Sequence, residues 1–382
     1  MIYICTFAIT LLMAYINEKN LMKKKANKVI HYMTALLIIC VPATIAGMRD
    51  LSVGTDTMLY AKPVFEYACN SKDLIQMFYR FPQIEYGFLI VAYITSRICD
   101  NIHIFLFVIS FIIQLFIYLA LYKVKDKYSI FIGECLALFL IFNPSLNMMR
   151  QAIAMSIFLF ALTYFWDQKY IKFIFYLIVA GVFHKSIIIG CLYVPIFWFI
   201  GEINYKVEEL DEINKKRIKY VIKMLIFVTI VGLACFSIKF LISILYELGI
   251  IGDRFAAYIN GKPVLFNWKF LLIYSLPCIT LFVRRNKNLY GYTYLSIEII
   301  DIILYQLKYV SYYLYRISVY FLIIRIFSMA QMKIDFKKII KRGKISKDEI
   351  ISILIIILNF IQWYAFIIIN NDHATANYLI YF

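Results

Sequence analysis

The sequence predicts an all-α, polytopic helical membrane protein, and three observations predict it. The 382-residue chain is 63% hydrophobic and 18% aromatic with only 16% charged residues, well outside the composition of a water-soluble globular domain. Apolar runs near the roughly 20 residues that a helix needs to cross about 30 Å of hydrocarbon recur from end to end. Runs such as IISILIIILNFIQWYAFIIIN (350–370) do not alternate polar and apolar residues, as a closed membrane barrel requires.

Taken in order, the candidate spans lie at 1–16, 30–47, 84–98, 102–122, 129–142, 151–166, 170–183, 186–200, 221–246, 269–283, 290–307, 317–332 and 350–370. The first lacks a basic leader and a small-residue cleavage site, so it reads as a retained span. The net charge of +17 is concentrated between spans, in NEKNLMKKKANK (17–28), KVKDK (123–127), the stretch 201–223, RRNK (284–287) and 333–347. By the positive-inside rule these connections face the cytoplasm, so the charge sets orientation and does not point to nucleic acid. From residue 129 onward the alternation closes. Before it, KVKDK falls on the wrong side unless 84–98 or 129–142 is an interfacial or re-entrant helix, giving about 12 spans within a range of about 11 to 13. The expected organisation is a single polytopic domain, 1–382. It carries an ordered, aromatic-rich outer-face loop (48–83) after the second span and basic cytoplasmic loops at 201–220 and 333–349. Eight cysteines without a CxxC pair indicate neither a disulfide framework nor a zinc site, and inverted repeats, common in transporters, are not visible.

Ionisable groups at span ends are costly and are read as functional by default. Four clusters stand out, all on the predicted outer side. MRDLSVGTDTMLY (48–60) supplies Arg49, Asp50, Thr55, Asp56 and Tyr60 around Gly54. A solvated loop with a snorkelling arginine explains these residues, and so does a turn that holds an anion or positions a hydroxyl. NPSLNMMRQAIA (143–154) has Pro144 interrupting the backbone and Arg150 with Gln151 opening the next span; a guanidinium fork matches phosphate oxygens, or simply anchors a helix at the interface. GVFHKS (181–186) wedges His184 and Lys185 between apolar runs, a proton-transfer and an anion-binding candidate set against a structural histidine. SYYLYRISVYF (311–321) places Arg316 among Tyr312, Tyr313, Tyr315 and Tyr320, where an interfacial aromatic belt competes with a sugar-stacking surface. Together these suggest an anionic, lipid-embedded ligand reached from outside. A P-loop, a dinucleotide glycine motif, HExxH and GxSxG are missing from the sequence, so nucleotide, metalloprotease and serine-hydrolase readings have no support.

The order MRD, VGTDTMLY, RQAIA, FHKS and YRISVYF resembles the EpsG-like branch of Wzy-type polysaccharide polymerases, over essentially the whole chain. The resemblance implies a multi-pass enzyme of the bacterial cytoplasmic (inner) membrane with its active site facing the periplasm or outside. It would join oligosaccharide repeat units of O-antigen, capsule or exopolysaccharide, with undecaprenyl-diphosphate-linked oligosaccharide as donor and acceptor. The lipid bilayer and a chain-length regulator protein are its implied partners, without nucleic acid, metal or other cofactor. Arg49, Arg150 and Arg316 are the candidate diphosphate ligands, with Arg49 alternatively holding Asp50 and Asp56. Asp56 or His184 is the candidate base, and Asp50, Gly54, Thr55, Tyr60, Gln151, Lys185 and Tyr320 are supporting or sugar-binding candidates. Two other classes compete: a flippase or transporter of lipid-linked oligosaccharide, which would line a path through the bilayer with charge, and a membrane acyltransferase acting on a surface polysaccharide, in which chain length would survive loss of His184.

Overall fold

The computed structural model describes residues 2–201, 210–249, 266–284, 290–309, 314–331 and 345–381. They are almost entirely helical, and β-type pairing among them is confined to one isolated bridge between Arg49 and Ile380. Among the described residues, five helices are long and apolar enough to cross a membrane: Lys28–Met48, Ile102–Lys123, Ile130–Asn147, Met149–Trp166 and Lys347–Ile369. Shorter apolar helices lie at Tyr86–Ile98, Tyr170–Phe183, Lys185–Ile200 and Val319–Ser328. The basic stretches RRNK and 333–344 fall almost wholly outside the described residues, as do Tyr312 and Tyr313, and the stretch from Leu210 opens a helix that runs to Phe236.

The chain divides into two compact units, Met1–Ile188 with Met329–Phe382, and Ile189–Ser328. In the first, α1 (Ile2–Leu21) and α2 (Lys28–Met48) form a hairpin. After α2 come a π-turn at Thr57–Ala61, α3 (Lys62–Asn70), α4 (Leu74–Arg80), α5 (Tyr86–Ile98) and α6 (Ile102–Lys123). Asn27, Asn101 and Ser129 each cap the helix they precede by accepting a backbone N–H, which satisfies donors that lipid cannot. α2 packs on α6, and Gly47 permits the approach: a Cβ there would lie 2.9 Å from the His103 carbonyl oxygen.

α7 (Ile130–Ala137) continues through a π-turn at Leu138–Phe142 into α8 (Asn143–Asn147). Pro144 therefore does not break this segment, contrary to the sequence expectation. It sits in the first turn after the widened π-turn, where its missing N–H costs little. The break comes at Met148, whose φ of −85° and ψ of 52° leave the helical region before α9 (Met149–Trp166) starts. Of the two segments suspected of not spanning, Ile130–Asn147 forms an 18-residue length, whereas α5 has 13 residues, about 20 Å at 1.5 Å per residue, and is too short to cross by itself.

α10 (Tyr170–Phe183) packs back along α9. An aromatic core of Tyr3, Phe7, Phe139, Phe142 and Trp363 ties α1 and the π-turn after α7 to the helix Lys347–Trp363, and the Trp363 indole donates to Asn143 Oδ1 at 2.8 Å. Both helix directions and these contacts sort charge by end. The lysines of 19–28 and 123–127, with Asp167, Lys169 and Lys172, lie where α1, α6 and α9 finish and α2 and α10 start, while Arg49, Glu85, Arg150 and His184 lie at the opposite end.

The second unit has its own buried charge. Arg325 forms ion pairs with Glu298 and with Asp301 (3.4 Å), and all three side chains are 0% exposed. The Tyr274 hydroxyl lies 2.8 Å from both Asp301 oxygens and donates to that carboxylate, its ring faces the Arg325 guanidinium at 4.9 Å, and its own carbonyl accepts from Arg325 Nη2 at 3.2 Å.

Candidate functional site

The loop after α2 is held in place by backbone bonds from the chain's last residues. Asp50 N–H donates to the Leu379 carbonyl at 2.8 Å and Tyr381 N–H to that of Met48 at 2.9 Å. Gly54 has a φ of +82°, and its N–H donates to the Ala374 carbonyl at 3.0 Å. A Cβ at Gly54 would lie 2.8 Å from the Leu146 carbonyl oxygen, so both torsion and space demand glycine. Next to it, Asn147 Oδ1 accepts from the Thr55 hydroxyl at 3.1 Å and from Asp56 N–H at 2.9 Å. One amide thus docks the VGTDT turn onto the α8–α9 break.

Arg49 lies under this turn and is 1% exposed. Its guanidinium donates to the carbonyls of Ala46 and Leu146, both at 3.0 Å, to Thr57 Oγ1 at 3.3 Å and to Met149 Sδ at 3.6 Å. Burial pulls its pKa down to about 10, against the opposing influence of Tyr3, Tyr378 and Tyr60, so it stays cationic at neutral pH. Its partners are carbonyls, a hydroxyl and a thioether, where the sequence suggested phosphates or the two aspartates. Asp50 is turned away, its carboxylate accepting from Ser52 N–H at 2.9 Å and from the Ser52 hydroxyl at 2.6 Å in a local turn. Those bonds hold its pKa below the usual carboxylate value.

Arg150, in the first turn of α9, forms an ion pair with Glu85 through Nη1. The other Glu85 oxygen lies 2.9 Å from His184 Nδ1. The Arg150 guanidinium also faces the Tyr60 ring, with 4.5 Å from Cζ to the ring centroid. Side-chain exposures of 11% for Glu85, 14% for Arg150 and 24% for His184 leave the cluster reachable at its edge. Burial by itself raises the Glu85 pKa, but the hydrogen bond from His184 and the charges of Arg150 and His184 outweigh it and hold the carboxyl at about 2. Burial, with Asp56 nearby, pushes the Tyr60 phenol up to about 12 against the pull of Arg150.

Three sequence motifs therefore meet in the first unit: Tyr60 of the loop signature, Arg150 of the RQ pair and His184. Thr55 and Asp56 are held to the α8–α9 break by Asn147. Gln151 is buried beside Arg150, and Lys185 is exposed at the start of the following 3-10 helix. Arg316 and Tyr320 belong to the second unit, in a 3-10 turn (Leu314–Ile317) and a short helix (Val319–Leu322), and the Tyr320 carbonyl accepts from the Tyr193 hydroxyl at 2.8 Å.

The sequence reading missed Glu85. A signal was present: RFPQIEYGFLI (80–90) puts one acid at the mouth of an apolar run, the same rule that singled out the arginines. Glu85 occupies the N-cap of α5 yet makes no side-chain cap bond, because its carboxylate reaches out to Arg150 and His184 instead. Gly87 lets the α5 start approach the α10 end that carries His184, since a Cβ there would stand 3.0 Å from the Val182 carbonyl oxygen and from the Phe183 ring.

A family model described as the EpsG family matches residues 29–381. No curated protein and no solved structure matches the chain.

Proposed function

The chain belongs to the EpsG family of Wzy-like polysaccharide polymerases, and on that premise we propose that it joins undecaprenyl-diphosphate-linked oligosaccharide repeat units at the outer leaflet of a bacterial inner membrane. About 12 spans, with the lysine-rich end in the cytoplasm, complete this reading. In the reaction, an acceptor hydroxyl oxygen bonds to the anomeric carbon of the donor glycan. The bond from that carbon to the diphosphate breaks, the lipid diphosphate leaves with the electron pair, and a base takes the hydroxyl proton.

The observation that carries the reading is the convergence of Arg150, Glu85, His184 and Tyr60 at one end of the first unit's helices. A guanidinium has five donors, and those not taken by Glu85 and Tyr60 suit the diphosphate; fixed cations in a site poor in water stabilise the charge that develops on the leaving group. The Tyr60 ring offers a face for a sugar, and Asp56 and His184 are the base candidates. Arg316 is assigned to the diphosphate on motif order, and Arg49 is assigned to building the loop.

The test is a glycan ladder from cells whose own copy is replaced by Arg150→Ala or Arg316→Ala. The reading expects single repeat units to persist and long chains to vanish. Normal ladders from both variants would sink it. Accumulation of lipid-linked units on the inner leaflet would favour a flippase instead.

A further inference from the structure

We infer that His184 is the general base, acting through Nε2, and that Glu85 is the positioning residue that fixes the imidazole tautomer and orientation for that role. This rests on the polymerase reading and sharpens its undecided base. Glu85 Oε1 lies 2.9 Å from His184 Nδ1, and an ionised carboxylate can only accept. Nδ1 therefore carries the hydrogen, and the lone pair sits on Nε2. Because Arg150 binds the second Glu85 oxygen, the carboxylate is pinned from both sides and cannot rotate away.

The arrangement also matches the charge that the reaction moves. With a neutral imidazole the trio of Arg150, Glu85 and His184 is neutral overall. When the acceptor oxygen bonds to the anomeric carbon, its proton passes to His184 Nε2 and the trio becomes +1 as the departing diphosphate gains its negative charge. The proton stays on Nε2 until it is lost to solvent or to the departing diphosphate, which restores the base. Asp56 stands outside this trio, in the turn whose backbone N–H donates to Asn147 Oδ1.

Glu85→Gln separates this role from simple packing. Arg150 has only donors, so the glutamine must turn its oxygen to Arg150 and its amide N–H to His184 Nδ1. That forces the hydrogen onto Nε2, the wrong tautomer. The experiment uses the full chain in lipid nanodiscs with ¹⁵N-histidine, observed by NMR above the ordinary imidazole titration range. Only four histidines contribute; His184→Asn identifies the signal, and His103, whose Nδ1 faces the Gly47 carbonyl at 2.8 Å, reports an intact fold.

The expected result is an Nδ1–H tautomer for His184 in the parent and Nε2–H in Glu85→Gln. Chain extension should fall by roughly 10²- to 10⁴-fold, the usual size of general-base catalysis, and Glu85→Asp should restore both tautomer and part of the activity. An unchanged tautomer in Glu85→Gln, with the His103 signal intact, overturns the inference alone. Failure of the function reading looks different: the tautomer inverts, yet Arg150→Ala, His184→Asn and Glu85→Gln all leave chain extension normal, which overturns the base assignment together with that reading.

Discussion

The two units each contain an arginine paired with carboxylates, and they use it in opposite ways. In the second unit, Arg325, Glu298 and Asp301 are fully enclosed, and Tyr274 covers both the guanidinium and the Asp301 oxygens. In the first, Arg150 and Glu85 keep an open edge and share the carboxylate with a histidine. The same chemistry serves packing where it is sealed and is available to a ligand where it is not. Burial of the partners, more than residue type, separates a strut from a site.

The sharpest way to break that comparison is Arg325→Ala. It leaves two buried carboxylates without their cation, and removing one member of a buried pair costs about 3–5 kcal/mol. We expect loss of monodisperse protein in detergent, read by size-exclusion chromatography. The triple change Arg325→Met, Glu298→Gln, Asp301→Asn should recover most of the folded yield, because it removes the charges together. Recovery would show that the sealed cluster is structural.

Arg150→Ala should do the reverse, abolishing long glycan while the chain still purifies as a folded species. Its stability loss is expected to stay below the roughly 3–5 kcal/mol of a sealed pair, since His184 still hydrogen-bonds the Glu85 left behind and the cluster keeps an open edge. A collapse as severe as that of Arg325→Ala would erase the distinction between the clusters.

A smaller effect is expected from Gly87→Ala. The added methyl meets Val182 and Phe183 at 3.0 Å, pushing the α5 start from α10 by tenths of an ångström and lengthening the Glu85–His184 contact. Activity should drop by about tenfold, equivalent to 1.4 kcal/mol on the barrier, with the melting temperature nearly unchanged. The same substitution at Gly232, where nothing lies within 4 Å, is the control.

The mildest test is pH. The folded Glu85 pKa is depressed to about 2 from an ordinary value of 4.5, so its contribution is complete above about pH 4.5 and is lost as pH falls through about 2. The melting temperatures of the parent and Glu85→Gln should therefore converge as pH falls across that window. A gap that widened on acidification would show that Glu85 is held in its protonated form.

Much of the helical character was legible because lipid leaves the backbone no alternative, and every apolar run with its flanking charge announces a helix. Arg150, His184 and Tyr60 were legible for a related reason, since polar groups at span ends stand out against an oily background. Glu85 was not picked out, because one acid beside an apolar run gives no hint of the cation it will meet 65 residues later in the chain. Arg49 was conspicuous but its partners were not: the carbonyls that it binds belong to the helix end at Ala46 and to Leu146, and backbone acceptors leave no trace in a sequence. Pro144 shows a further limit. A proline signals a break, but the π-turn before it absorbs the irregularity and moves the break to Met148.

The bonds between residues 48–54 and the carbonyls and N–H groups of 374–381 bear on how membrane topology is mapped. Serial-truncation reporters end the chain at successive points and graft an indicator enzyme there, so every fusion short of Tyr381 loses part of this clasp. Such a series reads the sidedness of chains whose second helix has lost its terminal pairing. Single cysteines placed in the intact chain and challenged with impermeant maleimide leave the clasp closed, and the orientation of the Arg150 end should be measured that way.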